Sequence, residues 1–512
     1  MHMRLIQWLN VSGLAAGLLL NMAPASADSA PSFSAAPCCQ LCPEAKDPKN
    51  YTTRTQQDFT VLMQGKGDWM FRSQQDLLTE FDTTPAAYER LREVHDAFKA
   101  RGIDLVVVYQ PTRGMVDRRY LLPADYATYD YNKARKNFQG MLGRFQKMGY
   151  YTPDLSNLSD DDKPAHDFYF RGDQHWTPYG AERTAQIVAA TIKQIPAYKD
   201  IPRREFETHV SGRLTKNGTL MGLAGQLCNT SYSVQYSDSF TTEPKSVAAD
   251  SELFGDAPMP QITLVGTSHS GKNYNFGGFL EQDLSADVLN AAFPGGGLEG
   301  SLLQYLGSED FQKHPPKIIV WEFSALYKLD QDIIWRQVLA MLDNGCEGKP
   351  VEVAQSATLQ PNTRTDLLVN GTTGVKDWVN GSRRLDVKFK DPTVKDLYAT
   401  LWYLNGRHEE LHIEKPTSAP TDGRFAFDMR QIGDWGDQTL LALELHGAPP
   451  DKSAPPPVLP APDPVTTAVH VSALNAPAAA EVAALEPQPL QVKLCVRKES
   501  PNMSPRTAQA GL

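Results

Sequence analysis

Gln261-Ile262-Thr263-Leu264-Val265-Gly266-Thr267-Ser268-His269-Ser270 is a β-branched, apolar run that ends abruptly in small and polar residues. The pattern predicts a buried strand over 261–265, with Gly266 and Thr267 turning the chain. Ser268 then stands at the carboxyl end of a strand. In open α/β sheets that is where side chains project into a crevice and backbone N–H groups stay available to a ligand. Position therefore favours Ser268 over Ser270 as a nucleophile. A serine at a strand end also serves simply as a helix cap. The Gly-x-Ser-x-Gly elbow is not met, because Ser270 occupies the place of the second glycine.

A serine hydroxyl is a weak nucleophile near neutral pH and needs a base within hydrogen-bond reach, itself oriented by a third group. Asp173-Gln174-His175-Trp176 supplies both. In an extended segment, residues two apart lie on one side, so the Asp173 carboxylate is expected to reach Nδ1 of His175 and leave the other ring nitrogen to Ser268. Asp-x-His is also a zinc half-site, but no second His-x-His or Cys-His cluster accompanies it, and no metal or other cofactor is expected.

The surrounding sequence alternates helical patterns with apolar strands. Tyr88 to Ala100 reads as a helix, while Ile103 to Tyr109 and Lys317 to Phe323 read as strands. This predicts an α/β domain with a mostly parallel sheet covered on both faces. Beyond about residue 345 the texture changes to short strands separated by turn signals: Val351–Val353, Thr365–Val369, Leu385–Phe389 and Thr400–Leu404, with Asn-Gly at 370–371, 380–381 and 405–406. Such spacing predicts an all-β sandwich.

Phe170-Arg-Gly-Asp-Gln-His-Trp-Thr-Pro-Tyr-Gly180 together with Gly266-Thr-Ser-His-Ser270 resembles the alginate O-acetyltransferase family of SGNH-hydrolase-like proteins, of the AlgX type. Ordinary SGNH enzymes place the serine first and an Asp-x-x-His last. Here Asp-x-His precedes the serine and has one spacer fewer, as in that family. The resemblance implies an SGNH-hydrolase-like three-layer domain over 28–345 and a β-sandwich carbohydrate-binding module over 346–512. It implies a Ser-His-Asp acetyltransferase that acetylates O2 and O3 hydroxyls of mannuronate in alginate through an acyl-serine. It also implies the periplasm, a membrane-linked acetyl relay as donor, and association with other alginate polymerisation and secretion proteins. A polysaccharide acetylesterase and a non-catalytic alginate-binding scaffold are the competing readings. The first differs only in whether water or sugar attacks the acyl-serine.

Around the reacting atoms, the Ser268 backbone N–H is the natural oxyanion donor, and the Gly295-Gly296-Gly297 turn, with Gly296 at its centre, is a candidate for a second. Tyr274 matches a family position facing the site, and Arg171 is a candidate for holding acidic substrate or for a surface ion pair. In the sandwich, Lys395, Thr400, Trp402 and Arg407 are candidates for binding uronate. Trp402 and Tyr403 are adjacent on a strand, so one is expected in the groove and the other in the core.

Composition bounds the rest. The chain has 512 residues and a net charge of −10, which suits a soluble protein of two domains and argues against nucleic acid as a partner. An anionic polymer would instead meet a local basic strip, for which Arg383, Arg384, Lys388, Lys390, Lys395 and Arg407 are available. Residues 1–27 read as a cleavable secretory leader, and no later run is long and apolar enough to span a membrane. Six cysteines in an exported chain argue for disulfides, in fifteen possible pairings. The resemblance implies one bridge tying down the N-terminal segment and one closing the C-terminal module, expected as Cys42–Cys228 and Cys346–Cys495. Cys38 and Cys39 are then left over. Residues 28–50 are expected to be irregular, and residues 447–489, rich in proline and alanine, a flexible insertion before a last strand at 490–496.

Overall fold

The computed structural model describes residues 40–160, 166–232, 234–245, 259–433, 435–447 and 487–497. The leader, Cys38 and Cys39, most of the 447–489 segment and the tail beyond Arg497 lie outside the described residues.

Four parallel strands form the centre of the first part, in the order Asp104–Gln110, Ile318–Ser324, Ile262–Gly266, Val288–Asn290. Nearly every residue of the first three is buried, as expected of strands covered on both faces. Helices Pro85–Ala100, Tyr131–Lys147, Pro178–Ile192, Phe276–Leu284 and Asp332–Leu342 close one continuous core with them. Two of these helices start on a proline directly after a threonine cap. Thr84 accepts from the Ala87 N–H and Thr177 from the Gly180 N–H. The second cap fixes where the chain carrying His175 stops and the helix begins.

A long antiparallel hairpin, Phe206–Lys216 with Gln235–Pro244, stands outside this sheet. Its two strands are joined through helix Thr219–Cys228, which packs on the N-terminal segment in a small separate core of Leu41, Ala45, Tyr51, Leu220 and Ala224. Cys42 is bonded to Cys228 across this core.

The second part is a sandwich of two four-stranded antiparallel sheets. One runs Arg364–Leu367, Leu440–His446, Asp396–Tyr403, His408–Glu414, and the other Arg424–Asp428, Arg383–Phe389, Gln488–Val496, Val351–Leu359. Alternate residues face inward, Leu397, Ala399, Leu401 and Tyr403 from one sheet against Leu385, Val387, Val492 and Leu494 from the other. The strand carrying Cys495 lies between two partners, and Cys495 is bonded to Cys346. Because that bridge closes a loop of 149 residues, replacing both cysteines by serine should lower stability by about 2–4 kcal/mol in a denaturant titration.

The junction is held by charge. Arg336, on the last helix of the first part, donates from Nε to the Asp428 carbonyl (2.7 Å) and pairs with Glu409 at 2.5 Å. Arg90 pairs with Glu93 and Asp332 and donates to the Arg430 carbonyl, while Arg497 reaches back to Glu93 at 2.6 Å. The run that reads as a basic strip is dispersed by strand alternation and pairing. Arg384 is buried against Asp428, Arg383 is paired with Glu352, and Lys388 with Asp422.

Candidate active site

Strand Ile262–Gly266 ends in a single 3-10 turn, Ser268–Ser270, capped by Thr267. Its backbone brings Ser268 Oγ to 2.6 Å from Nε2 of His175. Nδ1 of His175 lies 2.5 Å from Oδ1 of Asp173, and the same oxygen accepts from the His175 backbone N–H at 2.9 Å. Asp173-Gln174-His175 is therefore a bend closed by its own carboxylate, not the extended segment expected above. An Asp side chain readily accepts from the N–H two residues on, and here that fold-back sets ring and carboxylate together. With Nδ1–H donated to Asp173, Nε2 is left to accept from the serine.

The second carboxylate oxygen of Asp173 accepts from the Thr219 N–H (2.6 Å) and Thr219 Oγ1 (3.0 Å). This requires the start of helix Thr219–Cys228 to press against the bend. Gly218, at φ 74°, makes that possible, because a Cβ there would meet the Gly172 carbonyl at 2.3 Å. Burial alone would push the Asp173 carboxyl up. The hydrogen bond and charge of His175, with Lys216, outweigh it and hold the group well below the usual range.

Lys216, from the end of the hairpin strand, brings Nζ to 3.5 Å from Asp173 Oδ1 and donates to the Tyr274 phenol at 2.7 Å. Tyr274 stacks on the His175 ring, with centroids 5.4 Å apart, and accepting from Lys216 leaves its own proton to donate. Beneath the bend lies Arg113, fully buried, donating to the carbonyls of Phe170 (2.8 Å), Asp173 (2.6 Å) and Met70 (2.7 Å). On the other side Asn290 donates to the Ser270 carbonyl at 2.9 Å.

Arg171 is not aimed at this line. Its Nε pairs with Asp167 at 2.8 Å and its guanidinium donates to the Gly67 carbonyl, so the cation beside Asp173 and His175 is Lys216. Gly296 packs against the Phe293 ring and the Ser301 N–H. Its neighbour Gly295 abuts Ser418 of the sandwich, which donates to the Pro294 carbonyl at 2.8 Å. The sequence reading named neither Lys216, Thr219, Arg113 nor Asn290. Lys216-Asn-Gly-Thr219 carries a turn signal, yet nothing in it announces a partner more than forty residues earlier.

In the sandwich, Thr400 and Trp402 share the outer face of their sheet with Tyr398. Thr400 Oγ1 lies 2.9 Å from His446 Nε2, and Trp402 donates to Glu444 at 3.2 Å. Tyr403 points inward and its phenol meets Gln431. Lys395 is held by the carbonyls of Pro416 and Thr417, and Arg407 lies over the Trp435 ring at 4.1 Å. Because Trp435 packs on the inward-pointing Tyr403, Arg407 is tied to the opposite side of the strand from Thr400 and Trp402.

A parallel α/β core bearing a serine, a histidine and an aspartate in hydrogen-bonded line, joined to a β-sandwich, is an SGNH-hydrolase-like architecture with a carbohydrate-binding module. Residues 62–325 match the family described as SGNH hydrolase-like domain, acetyltransferase AlgX, and residues 345–508 match the C-terminal carbohydrate-binding module. The alginate biosynthesis protein AlgX of Pseudomonas syringae pv. tomato is 58% identical over 514 residues, covering 100% of both chains. The Pseudomonas aeruginosa AlgX is 45% identical over 453 residues, 88% of this chain and 94% of that one. A solved structure of Pseudomonas aeruginosa AlgX superposes with a TM-score of 0.76 at 41% identity, covering 90% of this chain and 100% of that chain. The chain belongs to the AlgX family. It is also 30% identical over 355 residues to the probable alginate O-acetylase AlgJ of Pseudomonas aeruginosa, 61% of this chain and 87% of that one.

Proposed function

We propose that the protein is a periplasmic O-acetyltransferase that acetylates O2 and O3 hydroxyls of mannuronate in alginate through an acetyl-serine at Ser268. The observation that carries this reading is the unbroken line from Asp173 through His175 to Ser268 on an acetyltransferase-related fold with a carbohydrate-binding module attached. Nε2 of His175 takes the Ser268 proton as Oγ attacks the acetyl carbonyl, then gives that proton to the departing donor group. The Ser268 N–H and the Tyr274 phenol are the donors for the oxyanion. A sugar hydroxyl next attacks the acetyl-serine, its proton passes to His175, and Ser268 is restored. Asp173 holds the ring and stabilises its charged form.

The two disulfides suit an oxidising compartment, and no helix among the described residues is long and apolar enough to cross a membrane. The acetyl donor is assigned to a membrane-linked relay, with other alginate polymerisation and secretion proteins as partners. The division into an acetyltransferase domain to residue 345 and a binding module from 346 belongs to the same proposal.

The test mixes purified protein with an activated acetyl ester and polymannuronate oligomers and follows acetyl on Ser268 and on sugar by mass spectrometry. Acetylated sugar that disappears in Ser268→Ala supports the transferase. Loss of acetyl to water despite saturating oligomer would replace it with an esterase, and oligomer binding without any acetyl on serine or sugar would leave a scaffold. Trp402 stands on the outer face, so Trp402→Ala should weaken oligomer binding about tenfold or more in titration calorimetry while leaving the melting temperature nearly unchanged.

A further inference from the structure

Glu322 is a fully buried carboxyl group at the end of the strand next to the nucleophile strand. One oxygen accepts from the Thr267 N–H and from Ser270 Oγ, both at 2.8 Å. The other accepts from the Gln110 side-chain amide, and Thr267 Oγ1 lies 3.0 Å from both oxygens while itself accepting from the His269 backbone N–H at 3.2 Å. Thr267 and Ser270 bracket Ser268, so one carboxyl grips the turn on both sides of the nucleophile. Gly266 is what admits it, since a Cβ there would fall 2.6 Å from Glu322 Oε2 and 2.8 Å from Ser270 Oγ.

His269 Nε2 lies 3.2 Å from the Gln174 carbonyl, which can only accept, so that nitrogen carries a proton. A neutral His269 then needs a donor at Nδ1, and the group there is Thr267 Oγ1, at 3.1 Å. The threonine has one proton to give. Once it goes to His269, the oxygen pair between Thr267 and Glu322 at 3.0 Å is attractive only if the carboxyl brings a proton of its own. Turning the Gln110 amide over would set its oxygen against Glu322 and call for the same proton.

We infer that Glu322 is the positioning residue of the nucleophile turn and that it holds the turn as an un-ionised carboxylic acid. A neutral group in this place orders Ser268 without setting a fixed negative charge behind an oxyanion, a benefit that rests on the acyl-transfer reading above. The groups in contact with it are neutral: Gln110 from the neighbouring strand, and Thr267 and Ser270 from the turn. His269 and the Tyr327 phenol stand behind these, and the charges acting on those two are Arg72, with Glu299 on the Tyr327 side and Asp173 and His175 on the His269 side. Burial pushes Glu322 up to about 7 against the hydrogen bonds from Ser270 and Thr267, keeps His269 well below its usual value, and raises Tyr327 to about 12.

The test compares wild type, Glu322→Gln and Glu322→Ala, all in the full chain. The first readout is the rate at which a serine-directed sulfonyl fluoride labels Ser268, measured from about pH 5.5 to about pH 8.5. The second is the infrared difference spectrum of wild type minus Glu322→Gln. The Ala variant should label Ser268 at least about tenfold more slowly, because donors of the turn lose their acceptor. The Gln variant, whose amide can donate to Thr267 Oγ1 and accept from the Thr267 N–H, should restore labelling to within about threefold below neutrality. It should also lack a loss of rate that wild type shows as pH rises through about 7. The spectrum should contain a protonated-carboxyl band below neutrality that fades over the same interval. A Gln variant that is folded yet as slow as Ala, or a spectrum with only an ionised-carboxylate band at about pH 5.5, overturns the inference. If wild-type Ser268 takes no label at any pH, the acyl-transfer reading fails instead, and the infrared band still decides the state of Glu322.

Discussion

His175→Ala is expected to slow acetylation of Ser268 by at least about 10,000-fold, with melting temperature and oligomer binding little changed. The size follows from the line itself. His175 is the group on Ser268 Oγ at 2.6 Å, and the hydroxyl without it must be deprotonated by water. Asp173→Asn should come close to the same loss for a different reason. An amide in that place cannot accept from Nδ1–H on one atom and from the Thr219 N–H and hydroxyl on the other, so the imidazole is held in the wrong tautomer or not held at all. Rapid-mixing measurement of acetyl-serine formation separates these losses from any defect in sugar binding. Retention of more than about a tenth of the wild-type rate in His175→Ala would remove His175 as the base.

Asp428→Ala should be the most damaging single change to the assembly of the two parts. Asp428 is fully buried, receives Arg384 at 2.6 Å and Arg497 at 3.3 Å, and its own carbonyl accepts from Arg336 on the α/β side. Burial would push its carboxyl up, yet the arginines hold it below the usual value. The protein therefore keeps the group ionised in a dry place. Removing the carboxylate leaves buried Arg384 with only the more distant Asp343 at 3.2 Å and Arg497 with only Glu93, so the loss should approach, without exceeding, the about 3–5 kcal/mol of a fully broken buried pair. In a denaturant titration the midpoint should fall accordingly, and the sandwich should unfold ahead of the α/β part. Transfer to polymer should suffer more than labelling of Ser268 by a small ester, because the distant charge network leaves the triad atoms untouched. A single unshifted transition would show that the network contributes nothing measurable.

The stability that ionised Asp428 contributes is present above the ordinary aspartate value near about pH 4 and is lost as pH falls through the depressed value of the folded state. The junction is therefore expected to weaken in strong acid and not in the mildly acidic range.

Local pattern determined a good deal of this protein. The strands Ile262–Gly266, Asp104–Gln110 and Ile318–Ser324 are legible because a strand buried on both faces must be continuously apolar, and the turn after Val265 is legible because glycine and threonine follow at once. The change to alternating short strands beyond residue 345 marks the sandwich for the same kind of reason. His408–Glu414 went unread because an edge strand with charges on its open face carries too few apolar residues to register as a strand.

Sequence alone also brought Asp173, His175 and Ser268 to attention, since three residue types with one joint chemistry are recognisable wherever they stand. Only the tertiary structure decided what surrounds them. Arg113, the Lys216–Thr219 turn and Glu322 reach the site from three separate segments, and pairing across such distances leaves no local periodicity to read. It also withdrew Arg171 from the site and split the basic strip, because an ion pair depends on which carboxylate the fold places beside each cation. Patterning is a property of neighbours in the chain, whereas hydrogen-bond and charge partners are properties of neighbours in space.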